Sequence, residues 1–339
     1  MTMKGPGMTM YRLLLALALL LPFAASAAEP LGIDLEGYPY PYPVAFLPLT
    51  VAHHPERMAY MDVAPSGAAN GLAVLLLHGR NFPSSYWEPV IRPLAASGFR
   101  VIAPDQIGFG KSSKPEGAWS FDDAAADTAM LLDALHLPRV DVVGHSMGGM
   151  LAMRFARTFP ERVRRLALES PLGLEDYRLY VPPVSPDVLL GHEMNLSAEA
   201  YYRYLVTAYG LTLPREAVMP FVDIRERMKE SADYPRWVEA YVASYYAIWG
   251  QPVVHEMPLV ATPTLFMVGT RDRTAPGRAY APPAMRERMG QVAKLAAALA
   301  PKMPDARVVT FDTGHLIHLE ATDAFNRALL RFLGGEAMQ

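Results

Sequence analysis

Three side chains, Ser146, Asp272 and His315, have the types and the chain order that nucleophilic acyl transfer requires. Ser146 sits in "VVGHSMGGML", residues 142–151, which fits G-x-S-x-G with an apolar run before it and a helix-period stretch after it. A turn of that kind carries a hydroxyl out of the end of a strand. Glycine is needed at 144 and 148 because a Cβ there would collide with neighbouring backbone. Serine at its ordinary pKa is a weak nucleophile, so it needs a base to take its proton and an acid to orient that base. His315, in "FDTGHLIHLE", and Asp272, in "LFMVGTRDRTAP", each follow a strand-like run. Two other carboxylates compete for the acid role: Asp312, three residues before His315, and Glu169, at the end of the apolar run after the serine's helix. The order Ser, Asp, His favours Asp272.

The elements that must position these groups come from the apolar pattern. "GLAVLLLHG", "FRVIAPD", "VDVVG" and "VRRLALES" read as buried strands, and "DDAAADTAMLLDALHL" and "MGGMLAMRFARTF" as helices between them. Strands alternating with helices predict βαβ crossovers and a parallel sheet covered on both faces. From Pro171 to about Pro258 the rhythm fails; the chain turns proline-punctuated and aromatic, with "YYRYLVTAYG" and "WVEAYVASYYAIWG" helical and no convincing strand. Strand pattern returns at "TPTLFMVGT" and "ARVVTFDTG". A helical insertion within one α/β domain is the expected organisation. Upstream, the proline- and tyrosine-rich "EPLGIDLEGYPYPYPVAFLPL" is expected to lie extended over the surface, covering a sheet edge.

As a set, "LLLHGRNF", "PDQIGFGKS", "GHSMGG", "GTRD" and "GHLIHLE" resemble the landmarks of the α/β-hydrolase superfamily, over nearly all of the chain beyond its first residues. The resemblance implies a mostly parallel eight-stranded sheet flanked by helices, formed by residues 29–170 and 259–339, with residues 171–258 as a helical cap, or lid, over the active site. It implies a catalytic triad of Ser146, Asp272 and His315. It also assigns an oxyanion hole to the backbone N–H of Met147 and that of Arg80, with Asn81 as the alternative second donor. His315 would accept the Ser146 proton, Asp272 would hold the imidazole, and water would cleave the acyl-enzyme. The expected activity is that of a cofactor-free serine hydrolase acting on a small to medium ester, thioester or lactone with an apolar portion. Carbon–carbon bond hydrolases and cofactor-independent perhydrolases use the same triad and are alternatives. A non-enzymatic binding protein would have no need of all three groups.

Composition excludes other classes. With 31 basic and 34 acidic residues the net charge is -3, which gives no nucleic-acid surface. The absence of cysteine rules out disulfides, thiolate catalysis and Cys-ligated metals. The His53–His54 pair lacks further ligands at metal-binding spacing, so no metal and no other cofactor is expected. "DQIGFGKSS" is one residue short of a phosphate-binding loop, and Pro115 and Gly117 break the helix such a loop needs; Asp105 is expected to order its own turn instead. At the start, Lys4 and Arg12 precede an apolar run from Leu13 to Leu21 and small residues spaced for cleavage after Ala27 or Ala28. Residues 1–28 therefore read as a signal peptide, with Met8 or Met10 as alternative starts, and imply export to the periplasm or beyond with no membrane span left after cleavage.

Overall fold

A computed structural model describes residues 1–3, 29–51 and 53–336; most of the signal-like segment lies outside them. Eight strands form one sheet: β1 (Val44–Val51), β2 (His54–Val63), β3 (Ala73–Leu77), β4 (Arg100–Pro104), β5 (Val140–His145), β6 (Val163–Glu169), β7 (Thr264–Gly269) and β8 (Ala306–Phe311). Their spatial order is β1-β2-β4-β3-β5-β6-β7-β8. The pairs β1–β2 and β2–β4 are antiparallel and every other pair is parallel. The helices are α1 (Glu88–Ala96), α2 (Phe121–Ala134), α3 (Met147–Thr158), α4 (Pro186–Asn195), α5 (Ala198–Tyr209), α6 (Arg215–Met228), α7 (Tyr234–Gly250), α8 (Pro283–Arg286), α9 (Val292–Leu299), α10 (Ile317–Glu320) and α11 (Thr322–Gly334). None among the described residues is long and apolar enough to cross a membrane.

The unbroken apolar runs of the central strands follow from burial on both faces. Alternate residues divide between two cores. Leu75, Leu77, Val142, Leu166, Phe266 and Val268 face α2, α3 and α9, whereas Val74, Leu76, Val143, Leu265 and Met267 face α1 and α11. Each fully buried aliphatic side chain contributes about 1.5–3 kcal/mol relative to exposure, so a one-residue register slip in β3 or β5 would exchange the two cores wholesale. Parallel pairing directs the carboxyl ends of β3, β5, β6, β7 and β8 to one edge, where loop residues can converge.

Two features differ from the sequence pattern. The end of the proline- and tyrosine-rich segment is itself the edge strand β1 rather than a cover for an edge; Pro48 is tolerated there because an edge position need not donate a ladder hydrogen bond. Between β6 and β7 the chain forms four helices, α4 to α7, two more than its aromatic stretches suggested. Residues ahead of β1 tie this insertion to the sheet domain. The Leu31 N–H donates to the Arg227 carbonyl (3.1 Å), Lys111 Nζ to the Leu35 carbonyl (2.7 Å), and Tyr40 OH to Asp105 (2.6 Å). Leu31 and Leu35 join Leu189, Ile224, Met228 and Val238 in a third apolar cluster. Asp105 also accepts the backbone N–H of Ser84 and Lys111, which orders its own turn.

One surface group carries a pH dependence. Asp127 on α2 has its pKa raised to about 6, by burial first and by Asp123 one turn earlier second. A carboxyl whose folded pKa is raised favours the folded state below its unfolded pKa and loses that contribution as pH rises through the folded value. Asp127→Asn is therefore expected to stabilise the protein at pH 7.5 by about 1–2 kcal/mol, discounted for solvent screening, and to change little below pH 4. Thermal melts at the two pH values check it; an equal shift at both would assign the effect to something other than ionisation.

Candidate active site

Ser146 follows β5 directly and precedes α3. Its backbone has φ 57° and ψ −119°, a strained conformation for a residue with a Cβ that costs about 1–3 kcal/mol. The turn is sharp enough that a Cβ at Gly144 would lie 2.4 Å from the Gly148 carbonyl oxygen, and one at Gly148 would lie 2.2 Å from that of Leu77. No other residue type fits either position.

Beyond β7, Asp272 is buried and accepts the Thr274 N–H on Oδ1 (2.8 Å), which fixes its carboxylate. Its other oxygen, Oδ2, accepts from His315 Nδ1 at 2.8 Å, across the ends of β7 and β8. That bond leaves His315 Nε2 as the proton acceptor. Nε2 is buried and makes no hydrogen bond among the described residues, Ser146 Oγ included. Such contacts are often long before substrate binds and tighten afterwards. The two rival carboxylates stand elsewhere. Asp312 is 90% exposed and pairs with Arg271. Glu169 is fully buried but lies 2.9 and 3.0 Å from His318 Nδ1 and accepts the His318 N–H.

The Met147 amide is the first of α3 and has no intrahelical acceptor, so it lies at the positive end of the helix dipole beside Ser146. Arg80 and Asn81 follow β3 in a turn on the same edge, and both line the cavity that Ser146 lines. A buried chain of hydrogen bonds links this turn to the histidine loop. The Gly79 N–H donates to Tyr86 OH (3.0 Å), Tyr86 OH lies 2.9 Å from His145 Nδ1, and His145 Nε2 lies 3.1 Å from the His315 carbonyl. A carbonyl can only accept, so His145 carries its proton on Nε2 and takes the Tyr86 hydrogen on Nδ1. Burial first, then repulsion from His315, holds the His145 pKa well below the usual histidine value, which keeps it neutral for this role.

The insertion closes over these groups. At the end of α5 the Tyr209 carbonyl accepts the His315 N–H (2.8 Å), and the Tyr209 ring lies 4.4 Å from the His315 ring. From the other side, the Arg80 guanidinium lies 3.5 Å over the Tyr241 ring on α7 and donates to Ser244 Oγ (2.8 Å) and the Tyr241 carbonyl (2.7 Å). The Asn81 side chain bridges the Tyr209 and Tyr241 hydroxyls. Between insertion and sheet edge lies a cavity of about 680 Å³ lined by Ser146, Leu172, Leu189, Tyr201, Tyr245 and others. It is large enough for a medium-sized organic molecule. Among the described residues no group of three or more His, Asp or Glu side chains could hold a metal ion.

A family model of the alpha/beta hydrolase fold matches residues 73–322. The chain belongs to that family. Within it, a probable hydrolytic enzyme from Pseudomonas aeruginosa PAO1 has a solved structure that superposes with a TM-score of 0.86 at 40% identity, covering 90% of this chain and 98% of that one. A 2-hydroxy-6-oxo-2,4-heptadienoate hydrolase from Pseudomonas putida is 33% identical over 221 residues, 62% of this chain and 75% of that protein. An uncharacterized Mycobacterium tuberculosis protein is 45% identical over 107 residues; the match spans only 31% of its length.

Ser146, Asp272, His315, Met147 and Arg80, singled out from sequence, all stand at this one edge of the sheet. Sequence reasoning missed Tyr86, the side-chain role of Asn81, and the use of the Tyr209 carbonyl. Tyr86 had one available signal, its place a few residues after "HGRNF"; nothing in the sequence distinguishes Tyr209 from the other tyrosines of the insertion.

Proposed function

We propose that the protein is an exported, cofactor-free serine hydrolase that cleaves a small to medium ester, thioester or lactone through an acyl-enzyme on Ser146. The observation that carries this reading is the Asp272–His315 hydrogen bond, which leaves His315 Nε2 buried and without a hydrogen-bond partner among the described residues, at the same sheet edge as Ser146. In the reaction His315 Nε2 takes the Ser146 proton as Oγ attacks the substrate carbonyl. The oxyanion is stabilised by the Met147 amide and one amide of the Arg80–Asn81 turn. The imidazolium, held by Asp272, returns its proton to the leaving group; His315 then deprotonates a water that attacks the acyl-enzyme, releasing the acid and restoring Ser146. The signal-like composition of residues 1–28 supports export.

A second reading, hydrolysis of a carbon–carbon bond beside a carbonyl, is favoured by the similarity to the heptadienoate hydrolase. In that case His315 and Ser146 would serve the same carbonyl, with carbon as the leaving atom.

The insertion acts as a lid, and its apolar lining makes the proposal testable. With a series of 4-nitrophenyl esters, kcat/KM is expected to rise with acyl length, by about fourfold per buried CH₂ at ~0.8 kcal/mol each, and then to fall once the cavity is full. Tyr245→Ala should move that break to longer chains. Intact-mass measurement should show the acyl group on the protein during turnover. A protein that hydrolyses a vinylogous diketone but no ester of any length would replace the ester reading with the carbon–carbon one. A length profile indifferent to Tyr245→Ala would remove the lid role.

A further inference from the structure

The cavity is cationic although the chain as a whole is not. Its lining includes five guanidinium groups, Arg80, Arg225, Arg273, Arg278 and Arg286, against one carboxylate, Glu193, in a chain of net charge -3. That carboxylate is committed to Arg225, at 2.6 Å. Arg80 is held by the Tyr241 carbonyl and Ser244. The other three come from the segment between β7 and α9, immediately after Asp272, and among the described residues none of them forms an ion pair. Arg286 donates to the backbone carbonyls of Ala281 and Ala279, and Arg278 to that of Met289; Arg273 makes no hydrogen bond among the described residues.

These hydrogen bonds to carbonyls leave the three guanidinium groups without an ion-pair partner among the described residues. Arg278 has its pKa lowered by burial and next by the neighbouring Arg273, with Glu175, Glu287 and Asp272 acting the other way. Glu175 is occupied in accepting the Gly290 N–H, and Asp272 by His315. Arg278 is half-buried, and Arg273 and Arg286 are exposed where they line the cavity; guanidinia on one wall repel one another, and a neutral donor would serve the loop carbonyls as well. The arrangement gains from an anion placed between them.

We infer that Arg273, Arg278 and Arg286 form a binding site for a carboxylate on the substrate that Ser146 attacks, so that the enzyme takes acyl compounds bearing both an apolar stem and a carboxylate. The inference rests on the proposed hydrolase reading for the word substrate, but the site itself can be tested without turnover. Guanidinium forks match a carboxylate with paired hydrogen bonds. Leu172, Leu189 and Val242, on the same cavity, supply the apolar surface for the stem. Because the wall follows Asp272 in the chain, a carboxylate fixed there would orient the scissile carbonyl relative to His315.

The test uses the full protein in two arms. In the first, calorimetry on Ser146→Ala compares octanoate with octanamide. Octanoate is expected to bind at least about tenfold more tightly, an advantage that shrinks with salt and is lost in Arg273→Gln/Arg278→Gln on the same background. Equal binding of acid and amide would overturn the inference. An advantage that survives the double substitution would place the carboxylate elsewhere, at the oxyanion amides, and overturn it as well. In the second arm, the active enzyme is given 4-nitrophenyl monoesters of dicarboxylic acids and length-matched neutral esters. The ratio of kcat/KM, charged over neutral, should fall at least about tenfold in the double variant. If no ester is turned over while octanoate binding responds to the arginines, the ester reading fails and the anion site stands.

Discussion

A fluorophosphonate is expected to label Ser146 and no other residue, and Ser146→Ala is expected to lose the label and about five to six orders of magnitude in kcat together. The size follows from how a triad acts. Its members work as one unit, so removing the nucleophile costs nearly as much as removing all three, and only the oxyanion amides and binding remain. The strained backbone at 146 sharpens the test. With φ at 57° glycine is free of the penalty that serine bears, so Ser146→Gly should be as inactive as Ser146→Ala yet melt at a higher temperature, by about 1 kcal/mol of stability. Labelling that persists in Ser146→Ala, read by peptide mass mapping, would transfer the nucleophile to another residue.

The second large effect belongs to the acid. Asp272→Asn preserves the shape of the side chain but replaces an acceptor for the His315 Nδ1 proton with a group that can also donate, which favours the tautomer with Nε2 protonated. That tautomer cannot take the serine proton. A fall of about four orders of magnitude in kcat is expected, with the fold retained by circular dichroism. Asp312→Asn, at an exposed side chain paired with Arg271, should stay within about twofold of the parent. Glu169→Gln should instead lower stability, because the buried Glu169–His318 pair would be broken without any contact to His315 being touched. A reversed ranking of Asp272 and Asp312 would reassign the acid.

How much of this was legible in the sequence depended on whether a position is dictated locally. β3, β5 and β7 are short, mostly apolar and bounded by turn residues, so their pattern alone places them in the middle of a parallel sheet. Ser146 was legible for the same reason: its two glycines are demanded by backbone approaches within the turn itself. β1 was hidden because proline and tyrosine at its start suggest loop, and only pairing with β2 makes Pro48 an edge residue. Helices α4 and α6 were hidden because they pack on neighbouring insertion helices and the preceding arm, a tertiary fact their own spacing does not record. The Gly79–Tyr86–His145–His315 chain joins residues up to 170 positions apart, and no local rule connects them.

The arm ahead of β1 has a consequence for the order of assembly. Its Glu29 carbonyl accepts a hydrogen bond from Arg227, 198 residues further along the chain, and Leu31 seats on the same turn of α6. Neither bond can form until the insertion has been synthesised, folded and brought over the sheet. An arm that precedes the whole sheet in the chain is thus among the last segments to find its place, and contacts of such long range are slow to close. Until that happens, the insertion lacks the strap that joins its far side to Asp105, Lys111 and Lys114. An arm that stays undocked until late is open to proteolysis while the rest of the chain is still being organised.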